Sequence, residues 1–300
     1  MISQAFRARV ALQIARVAIP GAIVGTVSFV NACTDQDRSP TRPSGAPMSA
    51  LVASGVEDAT YYGKVVPVGP GNARTYVVVN QGAPVEIGVE LNAGALAGLP
   101  TAGAHDGHNN THHQMTDAWD LPLPAEAGAT AYKSVNIGWM PAGHEPPYNR
   151  PHFDFHFYVV STEERLAIDP ADPEWAQKAS ALPSQEYWPA RYFPLNLLVN
   201  KPASAVTVPG MGLHWLDVAS PELNGGEFRN TLFYGSWNGR IIFDEPMITK
   251  ALLESRETVD VTLPPAARYA SEGLRAGGYR VYFDEATQRH RVALTQLANR

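Results

Sequence analysis

Residues 151–158 read Pro-His-Phe-Asp-Phe-His-Phe-Tyr, and that alternation constrains the fold more than any other stretch of the chain. Side chains on a β-strand point to opposite faces with a period of two. A strand here puts His152, Asp154 and His156 on one face and Phe153, Phe155 and Phe157 on the other. The aromatic face is suited to a core. The polar face carries three groups that ligate metals, carry protons or form a buried network.

The ends of the chain read differently. Residues 1–32 have the pattern of a signal peptide: Arg7, Arg9 and Arg16 without an acid, then an apolar stretch from Val17 to Val30 interrupted at Pro20 and Gly21. That stretch is too short and too broken for a good spanning helix. Val30-Asn31-Ala32-Cys33 resembles the lipobox of bacterial lipoproteins, with Cys33 as the lipidated residue and Thr34 after it. Residues 33–50, rich in Pro, Ser, Thr and Gly, read as a flexible tether. Cys33 is the sole cysteine, so the mature domain is expected to lack free thiols and disulfides. The chain is thus expected to be extracytoplasmic and membrane-anchored through acyl chains on Cys33, at the periplasm, outer membrane or cell surface.

Removing the leader takes away three of 23 basic residues and none of the 29 acids, leaving 20 against 29, a net charge of −9. An acidic domain without basic runs argues against nucleic acid and against electrostatic adhesion to anionic lipid. Residues 51–300 are expected to form a single β-rich α+β domain. It would be a mostly antiparallel sheet, sandwich or barrel-like, with a few short helices. High proline and low charge support that class over a helix bundle. Strands are expected over 59–68, 74–79, 85–90, 133–139, 152–160, 229–237, 240–244, 258–263, 278–284 and 289–294. Asn238-Gly239 is the strongest hairpin signal, and Ser161-Thr162-Glu163-Glu164 is a capping box that starts a helix. Residues 182–209, with five prolines, read as a covering loop, and 246–254 as a helix for which Asp244-Glu245 supply start charges.

Spacing limits what the polar face can do. Residues two apart on a strand have Cα atoms roughly 6.6 Å apart, and residues four apart roughly 13 Å, so His152 and His156 cannot share one ion on a regular strand. Either Asp154 pairs with one histidine, or a bulge unites the histidines, or Asp154 orients a ligand ring from behind. Further donors come from His144 in Gly143-His144-Glu145-Pro146-Pro147 and from His214 in Gly212-Leu213-His214-Trp215, with Glu145 and Glu245 as weaker candidates. Imidazole and carboxylate suit zinc, iron, manganese or copper without choosing among them. A second cluster, His105, His108, His112 and His113, reads as a metal-recruiting loop, a flap or an adventitious binder. Nucleophile-elbow, Walker, dinucleotide and HExxH patterns are absent from the sequence.

WMPAGHEPP, PHFDFHFYVVS, VPGMGLHWLD, FYGSWNGRIIFDEPMIT and GGYRVYFDEATQRHRVAL follow one another in order. This succession resembles a bacterial extracytoplasmic family of unknown function named for a Thermus protein, over roughly residues 55–298. The resemblance implies a β-rich domain on secreted or lipid-anchored proteins and assigns no catalytic residue. A looser similarity to cupins rests on the His-x-Asp-x-His pattern.

Two readings follow. In the first, His144, His152, Asp154, His156 and His214 bind a divalent metal; in an enzyme it would polarise a substrate or activate water or oxygen. It predicts that the His152 and His214 imidazoles converge beside an open cavity. In the second, an envelope assembly module, the face is a buried network and sheet edges mediate a homo-oligomer. A third, small-ligand binding, predicts a deep aromatic pocket near Trp139 or Trp215 and no ligand cluster.

Overall fold

The computed structural model describes residues 57–101 and 117–300. The expected targeting segment, Cys33, the expected tether and the His105–His113 cluster lie outside the described residues. In chain order the first strands are β1 (Ala59–Tyr62), β2 (Val66–Val68), β3 (Gly71–Asn80), β4 (Ala83–Asn92), β5 (Asp117–Leu121), β6 (Ser134–Met140) and β7 (His152–Tyr158). Next come β8 (Tyr192–Pro194), β9 (Thr207–Val208), β10 (Gly212–Asp217), β11 (Asn230–Trp237) and β12 (Arg240–Thr249). The last are β13 (Val259–Thr262), β14 (Leu274–Arg275), β15 (Gly278–Asp284), β16 (Arg289–Thr295) and β17 (Ala298–Asn299).

Two antiparallel sheets carry the fold. One runs β1-β3-β4-β16-β15-β13 with β2 on β3; the other runs β5-β6-β7-β12-β11-β10-β8 with β9 on β10. They share one core. Val77, Ile87, Val89 and Val292 of the first sheet pack in the same cluster as Ile137, Phe153, Phe155, Phe157 and Trp215 of the second. The architecture is the sandwich alternative, not a closed barrel, and the Phe face of β7 is its core face as expected.

The opposite face of the second sheet is therefore its outer face, yet it is buried too: every residue of β7 is buried. Segments between β7 and β11 cover it. Leu198, on α4 (Leu195–Val199) in the expected covering loop, joins Tyr148, Phe228, Phe233 and Met247 in one small apolar cluster. Val208, Met211, Tyr158 and Phe243 form another. The helices before it are α1 (Ala93–Leu96), α2 (Thr162–Leu166) and α3 (Trp175–Ser180).

Local signals that rest on near neighbours hold. Ser161 Oγ accepts from the Glu164 amide at 3.1 Å, and Glu164 Oε2 accepts from the Ser161 amide at 2.9 Å, closing the capping box of α2. Asn238 and Gly239 take φ of 47° and 79°, and Trp237 pairs with Arg240 across the turn. The helix expected over 246–254 is a correction: β12 runs to Thr249, and only α5 (Lys250–Ser255) is helical, capped by Thr249. Pro246 remains in register with Leu232 on β11, while pairing to β7 lapses between Asp244 and Met247. A proline can sit in an interior strand where its missing N–H coincides with such a break. The strand expected over 59–68 is likewise divided into β1 and β2.

Candidate metal centre

Strand alternation places the candidate donors. On β7, His152, Asp154 and His156 line the outer face. The register that sets Phe243 opposite Tyr158 and Met247 opposite Asp154 brings Glu245 of β12 beside His156. Asp244 points the other way, accepting from the Tyr132 hydroxyl and from Arg275 Nη2 at 3.0 Å. The continuation of β12 thus carries Glu245 onto the site face; in the sequence it reads as a weaker donor candidate and as a helix-start charge.

His144 reaches the same face from the loop between β6 and β7. Its amide donates to the Tyr148 carbonyl at 3.0 Å, and the Tyr148 amide donates to the Glu145 carbonyl at 3.0 Å, closing a tight turn. Gly143 takes φ of 70° there, and a Cβ would fall 2.3 Å from the Tyr148 oxygen, so the turn requires glycine. His214 arrives from β10, directly opposite Gly235 of β11. With no side chain at 235, the Phe243 ring lies across that strand, its centroid 5.3 Å from the His214 ring.

The donors fall into two sets. His144, His152 and Asp154 form one and His156, His214 and Glu245 the other; within each, one atom per residue lies within 4.8 Å of the other two. In the first, His152 Nε2 is 3.0 Å from Asp154 Oδ1, and His144 Nε2 is 3.4 Å from Asp154 Oδ2. In the second, His156 Nε2 is 3.3 Å from Glu245 Oε1, and His214 Nε2 is 3.5 Å from Glu245 Oε2. Donors about 2.0–2.1 Å from one ion stand roughly 2.9 Å apart at right angles and roughly 3.4 Å apart at tetrahedral angles. The observed separations fall on that scale.

The contacts leave several of the buried atoms unsatisfied. His152 Nε2, Asp154 Oδ1, both ring nitrogens of His156 and Glu245 Oε2 are buried and have no hydrogen-bond partner. Such atoms cost about 1–3 kcal/mol each unless something else satisfies them. Electrostatics is equally uneven. Burial opposes ionisation of Asp154, but the His152 and His144 imidazoles outweigh it and hold the carboxyl well below its usual range. Burial also works against a charge on His152; the Asp154 carboxylate overcomes it and raises the ring's pKa. His156 is pushed down to about 4 by burial, with Arg165 and His144 adding to the effect and Asp154 opposing it. Glu245 is raised well above the ordinary value by burial and by the charge on Asp154.

The sequence reading expected His152 and His214 to converge. The structure assigns them to different sets: His156, four residues further along β7, is the histidine that meets Glu245 and His214, and His152 stands roughly 13 Å from it at Cα. Two cavities among the described residues border neither set. The 820 Å³ cavity borders Leu96, Leu99, Trp139, Lys250 and His290, and the 250 Å³ cavity borders Tyr187, Tyr234, Arg268 and Arg275. Trp139 thus edges a groove whose other walls are mostly aliphatic.

No curated protein and no solved structure matches the chain. Residues 79–139 match the model of the TTHB210-like family, described as hypothetical protein TTHB210. Over that stretch, from β3 through β6, the chain is similar to the family named for a Thermus protein that the sequence resembled, while the GHEPP…PHFDFHFY signature lies beyond the matched residues.

Proposed function

We propose that this protein is a divalent-metal-binding domain of the cell envelope, tethered by a lipid on Cys33. One observation carries the metal half of the reading. Buried imidazole nitrogens and carboxylate oxygens approach to 3.0–3.5 Å, and several of these atoms make no hydrogen bond. A cation held between them would satisfy these converging lone pairs in place of a proton. Two imidazoles and a carboxylate suit zinc, iron, manganese or copper. Three protein donors leave room for water, the composition of a site able to activate water or polarise a substrate. The anchoring half is supported by the basic, acid-free leader, Val30-Asn31-Ala32-Cys33 and the tether after it.

Metal content of the tag-free mature domain, measured by plasma mass spectrometry beside a His152→Ala/His156→Ala variant, tests the first half. Near-stoichiometric metal lost in the variant is the expected result. Metal-free protein whose melting is unchanged by chelator or added metal sinks it. For the second half, labelled palmitate should enter the full chain and fail to enter Cys33→Ala.

A further inference from the structure

We propose that the protein holds two divalent ions at once, one on His144, His152 and Asp154 and one on His156, His214 and Glu245, and that the loaded pair recruits a small oxyanion. This rests on the metal reading above and goes beyond it in stoichiometry and ligand class.

One ion cannot serve both sets. β7 pairs with β6 without a register shift from Ser134↔Tyr158 to Met140↔His152, so it is a regular strand over its whole length. His152 and His156 then stand roughly 13 Å apart at Cα. Each ring instead finds its own carboxylate, Asp154 for His152 and Glu245 for His156. The convergence of orphaned donors is repeated: His152 Nε2 with Asp154 Oδ1 in the first set, His156 Nε2 with Glu245 Oε2 in the second.

Each set is also oriented separately. In the first, His152 Nδ1 donates to the Arg150 carbonyl at 2.6 Å, and the Gly143–Arg150 turn presents His144. In the second, the His156 ring stacks on Tyr158 at 5.5 Å and meets Phe243 edge-on at 4.9 Å, while Phe243 also flanks His214. The sets remain neighbours. Asp154 and His156 are two residues apart on one face, roughly 6.6 Å at Cα, and Glu245 lies on the adjacent strand.

Charge then sets the ligand class. Two dications over four neutral imidazoles and two carboxylates leave a net charge of +2 on a largely buried face. An anion at the exchangeable positions neutralises that excess. Access lies at His144 and His214, whose side chains keep 16% and 12% of their exposure while the other four donors are fully or almost fully buried. With four of the six donors at 0–3% exposure and the other two at 12–16%, the opening suits a small anion, of hydroxide or inorganic-oxyanion size.

The test strips the mature domain of metal, reloads it with Zn²⁺ alone and counts bound ions after desalting. Titration with inorganic phosphate follows. His144→Gln and His214→Gln, chosen because both side chains lie at the rim, each remove a donor from one set, and circular dichroism verifies that they fold. Two equivalents in the parent, one in each variant, and phosphate binding weakened about tenfold or more in both variants are expected. One equivalent in the parent overturns the pair and leaves the metal reading standing. None overturns both. Two equivalents with phosphate indifferent to them overturns the oxyanion.

Discussion

His152 Nε2 and Asp154 Oδ1 stand 3.0 Å apart on one face of β7 and share no hydrogen bond. The other ring nitrogen explains the consequence. Nδ1 lies 2.6 Å from the Arg150 carbonyl, which can only accept, so Nδ1 carries the proton. In the neutral ring Nε2 is then a lone pair turned toward a carboxylate. The two acceptors are reconciled either by a proton on Nε2, the direction in which Asp154 shifts the ring, or by a metal ion in its place; a backbone contact that fixes the tautomer is how metal-ligating histidines are commonly held. At His156 and Glu245, with 3.3 Å between Nε2 and Oε1, the metal-free pair is relieved from the other side, by a proton held on the carboxyl, whose pKa burial and the Asp154 charge raise.

Metal-free protein should reveal the Asp154 interaction through pH. A carboxyl whose folded pKa is depressed stabilises the fold above its unfolded value and loses that contribution as pH falls toward the folded one. Asp154 is depressed by His152 and His144 against the effect of burial. With chelator present, melting temperature should therefore fall as pH drops below about 4, and Asp154→Asn should flatten part of that fall. At neutral pH the substitution should cost about 1–3 kcal/mol. Parallel pH profiles for parent and variant would remove Asp154 from the network.

Part of this centre could be read from the chain and part could not, for a physical reason. The split of β7 into a Phe face and a His/Asp face follows from period two alone, as the hairpin at Asn238-Gly239 and the cap at Ser161 follow from neighbours in sequence. Which histidine meets which acid depends on strand order. β7 lies against β12, and β11 separates β12 from β10, a topology that no local pattern encodes. Pro246 compounded the difficulty. It argued for ending the strand before it, which left Glu245 a weaker candidate that reads more readily as a helix-start charge. The alternation Phe243, Glu245, Met247 on one face was the signal that could have recovered it.

Glu245→Gln should separate stability from metal binding. Burial and the Asp154 charge raise the Glu245 pKa, so the folded state retains its proton above the ordinary value. Stability contributed by such a group is complete below the unfolded pKa and declines as pH rises toward the folded one. At neutral pH a neutral isostere removes that loss. The metal-free variant should melt above the metal-free parent, by about 2–4 °C for each kcal/mol relieved, yet gain less from added Zn²⁺. A variant that melts lower than the parent without metal contradicts this account.

Tyr132→Phe is the matched control. Its hydroxyl donates to Asp244, on the opposite face of β12 from Glu245, and accepts from the Ala276 amide at 3.2 Å. Losing it should destabilise the domain by about 1–3 kcal/mol, measured by denaturant unfolding. Bound metal per folded protein should stay constant. Metal lost along with this hydroxyl would mean that the two faces of β12 are coupled.

Gly235→Ala tests whether an aromatic wall positions the second set. A Cβ there would lie 1.9 Å from Phe243 Cε1, so the ring must move. Overpacking of this kind costs about 1–3 kcal/mol. Phe243 also lies 4.9 Å from the His156 ring centroid and 5.3 Å from that of His214, so its displacement disturbs two donors of one set and none of the other. Zn²⁺ affinity should fall at the His156-His214-Glu245 set and hold at His144-His152-Asp154, resolved by titrating the variant in the His144→Gln background, where only the former set is complete. Unchanged affinity in that background, with the stability loss present, would show that the donors keep their geometry without Phe243.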